Sequence, residues 1–197
     1  MVLVELTSID LSDLPMDAFK AHLQLGTGFA DDSVQDEVLE SYIRAAISAI
    51  EARIGKMLLS RDVVWELSSW SGASEQALPV APVSAITGLA TVDKTGSETE
   101  IDLAHVSLRK DTHRPKMLSA GAGLPTIPAG GAVRISFTAG FGPSWIDVPP
   151  DLREAVFLLA ANYYENRRDQ SGAGGLMPFG VMALLEAHRN IRVFGAR

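Results

Sequence analysis

The hydrophobic period of this sequence changes twice along the chain, and this change constrains the fold more than any other feature. Residues 33–54 carry apolar side chains at helical spacing and end before Gly55, a residue that commonly stops helices. In the middle of the chain the period falls to two, most clearly at Val133–Thr138. From Pro149 the helical period returns and runs to about residue 168. Helical and strand segments that are segregated in this way predict an α+β fold rather than an alternating α/β fold.

The simplest architecture for this pattern is a small helical body with an inserted antiparallel β domain. We expect N-terminal helices in residues 1–60, the β insert in 61–145, C-terminal helices in 146–189 and a separate tail in 190–197. Within the insert, Val83–Val92 is predicted to be the first arm of a hairpin. The four residues that follow it, Asp93–Gly96, have the composition of a tight turn.

Charge and composition exclude several classes of function. The net charge of −7, from 17 Lys and Arg against 24 Asp and Glu, argues against binding to the outside of a nucleic acid duplex. The acidic excess lies in residues 1–150, whereas 151–197 are mildly basic. The absence of cysteine excludes a disulfide framework and a thiolate metal site. Since no run reaches the ~18–20 apolar residues of a membrane span, we expect no membrane association.

Residues with the potential for chemistry are few. Asp31 and Asp32 stand where the long helix is predicted to begin, and carboxylates there commonly cap free N–H groups. A divalent cation is the alternative use of such carboxylates. The four histidines lack metal-site spacing, and the sequence has neither a G-x-S-x-G elbow nor a Walker lysine. We expect no catalytic residue, no metal and no cofactor. A small metal-dependent hydrolase that uses Asp31 and Asp32 stays as one alternative, and an acidic DNA-associated regulatory protein as another.

The C-terminal tail combines apolar and cationic side chains in an unusual way. Ile191, Val193 and Phe194 alternate with arginines, of which Arg192 and Arg197 lie in the tail itself. A free, solvated tail has little reason to carry a Val-Phe pair. The tail therefore either packs on its own domain or docks on a partner, and the residues alone favour neither.

Short motifs in a fixed order extend over residues 15–192. They are Phe19–Leu23, Asp31-Asp32, Ile43–Lys56, Leu78–Val83, Val133–Gly142, Val148–Ala155, Tyr163–Arg167, Met177-Pro178 and Leu184–Arg189. In this ordered set the chain resembles the head–tail connector, or adaptor, family of long-tailed bacteriophages and phage-like gene transfer agents. Most of these are scaffold residues, which suits a family without catalysis.

The resemblance implies a structural role in the neck of a phage-like particle, between capsid and tail, for a protein made in the bacterial cytoplasm. Adaptors of this family form a ring, commonly of twelve copies, below the portal protein, and they extend its DNA channel toward a stopper or tail-completion protein. DNA would pass through the lumen without specific binding. The family's C-terminal segment reaches into the portal, which implies a docking tail at Ile191, Arg192, Val193, Phe194 and Arg197. For contacts between ring neighbours we expect Tyr42, Glu51, Trp145, Arg167 and Arg168.

Overall fold

Helices and strands are segregated in the structure, as the changes of period predict. The structure is a computed structural model, and it describes residues 2–24, 33–121, 123–166 and 177–189. The chain divides into a β unit, Met1–Ser8 with Leu59–Pro143, and a helical unit, Ile9–Leu58 with Ser144–Arg197. The predicted α+β class is confirmed.

The described part of the helical unit contains four α-helices: α1 (Met16–His22), α2 (Ser33–Ile54), α3 (Pro150–Glu165) and α4 (Phe179–Leu185). On α2, Leu39, Ile43 and Ile50 are buried because their spacing places them on one face. The helix ends at Ile54, since Gly55 adopts a φ of +68°, which disfavours residues with a Cβ. Pro150 stands in the first turn of α3, where a missing N–H costs no hydrogen bond.

Two antiparallel sheets make up the β unit. The five-stranded sheet has the order β1 (Val2–Glu5), β2 (Arg61–Leu67), β8 (Ala132–Ala139), β4 (Val83–Val92) and β5 (Glu98–Glu100). The three-stranded sheet has the order β3 (Glu75–Ala77), β7 (Lys116–Ser119) and β6 (Val106–Arg109). All neighbouring strands run antiparallel, and β4 and β5 form the hairpin predicted around Asp93–Gly96.

The alternation along β8 matches its position at the centre of the five-stranded sheet. Val133, Ile135 and Phe137 are fully buried, whereas the residues between them are half-buried. Strand β2 repeats this pattern, and its register pairs Trp65 with Ile135. The odd-numbered residues of β2 and β8 therefore form the core face of the sheet, and the even-numbered residues form its outer face.

Two strands fall where the sequence predicted no element. Strand β1 pairs with β2 although residues 1–8 precede the predicted helices, so the first residues of the chain belong to the β unit. Strand β3 pairs with β7 through only three residues. The second hairpin arm, β5, is short, because Asp102 shortly after it caps a 3-10 turn by accepting a hydrogen bond from the Ala104 N–H.

Candidate interaction surfaces

An aromatic cluster joins α1, α3 and the segment before α3 within the helical unit. Phe19 of α1 is fully buried, and its ring lies 5.8 Å from that of Phe157 on α3. Trp145, in the short 3-10 helix Trp145–Asp147, lies 5.7 Å from the same ring, and His22 lies 5.6 Å from it. Trp145 is only half-buried by this packing. Part of its surface therefore stays exposed.

Two further residues expected between ring neighbours lie on α2. The ring of Tyr42 meets that of Tyr164 on α3 edge-on, with centroids 6.2 Å apart, and both rings are half-buried. Glu51 accepts a hydrogen bond of 2.7 Å from the Leu58 N–H, so its carboxylate holds the turn that follows α2. Among the contacts that the structure describes, Tyr42, Glu51 and Trp145 each have different neighbours and do not form one cluster.

The other predicted site residues lie outside the described part of the chain. They are the arginines Arg167 and Arg168, the tail residues Ile191, Arg192, Val193, Phe194 and Arg197, and the acidic pair Asp31 and Asp32.

The surface around α4 includes Arg189, the last residue that the structure describes. Phe179 is 82 % exposed at the start of this helix, although Val181 and Leu185 of the same helix are buried. A shallow groove of about 340 Å³ runs beside it, lined by Arg53, Phe179, Met182, Ala183, Leu185, Glu186 and Arg189. His188, one residue before Arg189, pairs with Asp151 in the first turn of α3. The end of the described chain is thus fixed to the helical unit.

Carboxylates on the β unit are held by specific donors. The hydrogen bond from Lys116 lowers the pKa of Glu75, and Arg109 acts in the same direction. The pKa of Asp111 is lowered by backbone N–H groups of Arg114 and His113. On the outer face of the five-stranded sheet, Arg134 bridges Glu66 and Glu98 at 3.1 and 2.6 Å. These carboxylates therefore act as local braces of loops and strands.

Two features typical of other functions, a cluster of metal ligands and a membrane-spanning helix, are absent from the residues that the structure describes. In those segments, His, Asp and Glu side chains do not gather in groups of three that could hold a metal ion. Likewise, none of the described helices is long and apolar enough to cross a membrane.

Comparisons with known proteins identify the family. Residues 16–120 match the profile of the phage gp6-like head–tail connector proteins. A chain from the neck of an empty gene transfer agent (GTA) particle, computed with C6 symmetry, is 52 % identical, with a TM-score of 0.90 and complete coverage of both chains. A chain from the virion of a native GTA particle is 51 % identical, with a TM-score of 0.88 over 100 % of this chain and 99 % of the other. A third, from the neck of a native GTA particle computed with C12 symmetry, is 48 % identical at a TM-score of 0.86, again with complete coverage of both. No curated protein matches the chain.

The chain belongs to the phage gp6-like head–tail connector family, as the ordered motifs predicted. The motif set lies on the elements that build the fold, such as α2, β8 and the start of α3. Sequence reasoning did not single out the exposed Phe179 or the apolar residues of β1. The signals for both were present, as an aromatic residue directly after Pro178 and as the run Val2-Leu3-Val4.

Proposed function

We propose that this protein is a structural subunit of the neck of a gene transfer agent particle, between capsid and tail, where copies of it form a ring below the portal. The ring would extend the DNA channel and present its far side to a stopper or tail-completion protein. The observation that carries the proposal is the full-length similarity to neck chains, at about half of all positions and without an unmatched segment on either side. We propose that it performs this task without catalysis.

The charge of the chain supports a role around moving DNA. A channel through which DNA slides works best when it does not hold phosphates, since each phosphate contact with Lys or Arg adds affinity. The chain has a net charge of −7. On the outer face of the five-stranded sheet, Arg134 is already paired with the carboxylates of Glu66 and Glu98. A ring of such subunits fits a lumen that repels the DNA backbone.

The anchored end of the described chain supports the proposed docking tail. The His188–Asp151 pair joins the end of the described chain to α3, within the helical unit that also carries the exposed Phe179. Ile191, Val193 and Phe194 would supply apolar contacts to the portal, with Arg192 and Arg197 at the rim. Aromatic anchors usually carry more binding energy than rim charges, so Phe194 is the expected centre of this contact.

Contacts between ring neighbours are proposed at the helical unit. Tyr42 and Trp145 keep part of their rings exposed after intrachain packing, which is typical of residues that complete an interface. Glu51, Arg167 and Arg168 would add polar contacts around them.

A binding experiment with the portal ring of the same particle tests the proposal. We expect the full chain to be retained by immobilised portal, and a chain that ends at residue 189 to fold normally but not to be retained. Phe194→Ala should weaken retention more than Arg197→Ala, which is the matched control within the tail. If immobilised portal did not retain the full chain, and the chain were also absent from purified particles, the connector role would be wrong.

A further inference from the structure

Strand β1 exposes apolar side chains to a degree that its position in a sheet does not explain. Val2, Val4 and Leu6, the last directly after the strand, are 57, 48 and 62 % exposed. Leu3, which points to the opposite face, is also exposed. An edge strand that is free in solution usually carries charges or proline, which prevent unwanted pairing. This segment carries neither, apart from Glu5, whose carboxylate is paired with Arg61 at 2.8 Å.

The register places this apolar surface on the outer, polar face of the sheet. Val2 lies opposite Glu66 and Val4 opposite Val64, and the Leu6 N–H donates to the Asp62 carbonyl in the same register. On β8 the same face carries Arg134, Ser136 and Thr138. A solvated face of an antiparallel sheet is normally polar at alternate positions. The side chains of Val2, Val4 and Leu6, here called the edge strip, break that rule.

The main chain of β1 is open along the outer edge of the sheet, next to the face that carries the edge strip. Because Leu6 donates to β2, residues 4 and 2 direct their peptide groups to β2 as well, and Leu3 and Glu5 direct theirs away from it. Among the strands that the structure describes, β1 is a terminal strand of its sheet. Within the part of the chain that the structure describes, β1 therefore offers two residues whose N–H and C=O groups face away from the sheet, beside three exposed apolar side chains.

We propose that β1 is a contact surface for a second copy of this chain within the neck ring. This inference rests on the proposed function, because the related necks were computed with C6 and C12 symmetry, which places copies of a subunit side by side around an axis. The edge strip is apolar, and the carboxylates near it already have partners: Glu5 pairs with Arg61, Glu66 pairs with Arg134, and Asp62 accepts a hydrogen bond from the Thr138 hydroxyl. Such a surface fits a protein neighbour and offers nothing to DNA.

Rotational symmetry also defines what β1 touches. Neighbours in a ring make head-to-tail contacts, in which one patch of a subunit meets a different patch of the next. Pairing of β1 with the β1 of another copy would instead give a two-fold dimer. The edge strip therefore docks on an element of the neighbour other than β1.

The size of the surface indicates when the contact forms. One short strand buries much less than the ~1,200–2,000 Å² of a stable protein interface. Copies that are already held by the portal have a high effective concentration, which lets a weak contact form around a closed ring. The contact accordingly belongs to the assembled neck, and the isolated chain stays free of it.

Photo-crosslinking in assembled particles tests this inference. Val4 is replaced by p-benzoylphenylalanine, and Ser107 on β6, which is also exposed, is replaced in the same way as a control. Purified particles are irradiated, and the products are separated and sequenced by mass spectrometry. We expect position 4 to give a crosslinked dimer with twice the 21.0 kDa mass of the chain. Its crosslink should join position 4 of one copy to a residue outside 2–6 of a second copy. Position 107 should give much less of this dimer. The variant Val4→Lys should be lost from particles, whereas Val4→Thr should be retained.

Each other result overturns the inference. Crosslinks from position 4 to a different protein, to β1 of another copy, or only within one chain would each show that β1 is not a contact between ring neighbours. The same dimer yield at position 107 would show crowding rather than docking. Immunodetection of the unmodified chain separates the two proposals: its absence from particles would contradict the proposed function, whereas its presence without the expected crosslink would contradict this inference alone.

Discussion

The two edges of the five-stranded sheet are built in opposite ways. The β5 edge is three residues long and consists of Glu98, Thr99 and Glu100, all of them exposed. The β1 edge has apolar residues on both faces and one paired carboxylate. Both edges belong to one sheet with one central strand, β8. The charged β5 edge has the kind of side chains that protect an edge strand against pairing, and the β1 edge lacks this protection.

Electrostatics accounts for the protection at β5. Glu98 is held by Arg134 at 2.6 Å, and Arg134 also reaches Glu66 at 3.1 Å. Covering this edge with another strand would remove charged groups from water, which costs free energy that a strand pairing does not recover. Covering the edge strip removes apolar surface from water, which is favourable at ~25 cal/mol per Å².

The largest expected effect comes from truncating a buried side chain of β8, the central strand of the sheet to which both edges belong. Phe137 lies at the centre of β8 and is fully buried. Phe137→Ala should lower the free energy of unfolding by about 3–5 kcal/mol, because it removes a buried ring and leaves a cavity. Urea denaturation followed by circular dichroism measures this. A loss near zero would mean that the sheet core is not packed around this ring, and the comparison of its edges would lose its basis.

A smaller effect is expected at the charged edge. Arg134→Ala removes both ion pairs, which are partly exposed and are therefore expected to contribute about 0.2–1 kcal/mol each. The same denaturation experiment measures it, and added salt should reduce the difference from the native chain. Arg109→Ala is the matched control, since the Arg109–Glu75 distance is 3.8 Å and both side chains are exposed. Equal losses in the two variants would contradict a special role of Arg134.

A still smaller effect on folding is expected at the apolar edge. Val4→Lys should change the free energy of unfolding of the isolated chain by no more than about 0.5 kcal/mol, because the side chain is half exposed and leaves no cavity. Thermal unfolding of Val4→Lys beside Val4→Thr measures it. A loss of several kcal/mol would show that the edge strip belongs to the fold, and the contrast between the edges would then reflect packing and not assembly.

Clear periodicity explains which elements could be predicted from the sequence. Helix α2 and strand β8 each have one buried apolar face and one more polar face. The spacing of their apolar residues therefore predicts both the type of element and its orientation. Strand β1 has no such signal, because Val2, Leu3 and Val4 are apolar in succession. Only its pairing with β2 reveals the strand, and pairing between distant segments is not encoded in local period. Strand β3, with Glu75 and Gln76, has weak strand propensity and is likewise defined by its partner.

The interaction residues were harder to predict than the fold for a related reason. Catalytic sites use residue types in recognisable combinations, whereas a ring contact uses ordinary apolar and aromatic residues. Trp145 was expected in an interface, and the structure shows that part of its ring packs on Phe157. The edge strip becomes visible only when exposure and register are combined, since Val2 and Val4 look like core residues in the sequence.

The smallest expected effect concerns the turn that leads to the charged edge. The Asp93 carboxylate accepts hydrogen bonds from the Thr95 hydroxyl and from the N–H groups of Ser97 and Thr95, and these lower its pKa below the ordinary value of 3.8. Because the folded state has the lower pKa, the carboxylate stabilises the hairpin at pH values above 3.8, and this contribution disappears as the pH falls through the lowered value. Carboxyl chemical shifts followed by NMR should show a midpoint below 3.8 for Asp93. Thr95→Ala should move that midpoint up, since the hydroxyl bond is the largest cause, while the Asp111 midpoint stays in place. A native midpoint at 3.8 or above would mean that the β4–β5 turn is not held by Asp93, and the charged edge would then depend on Arg134 alone.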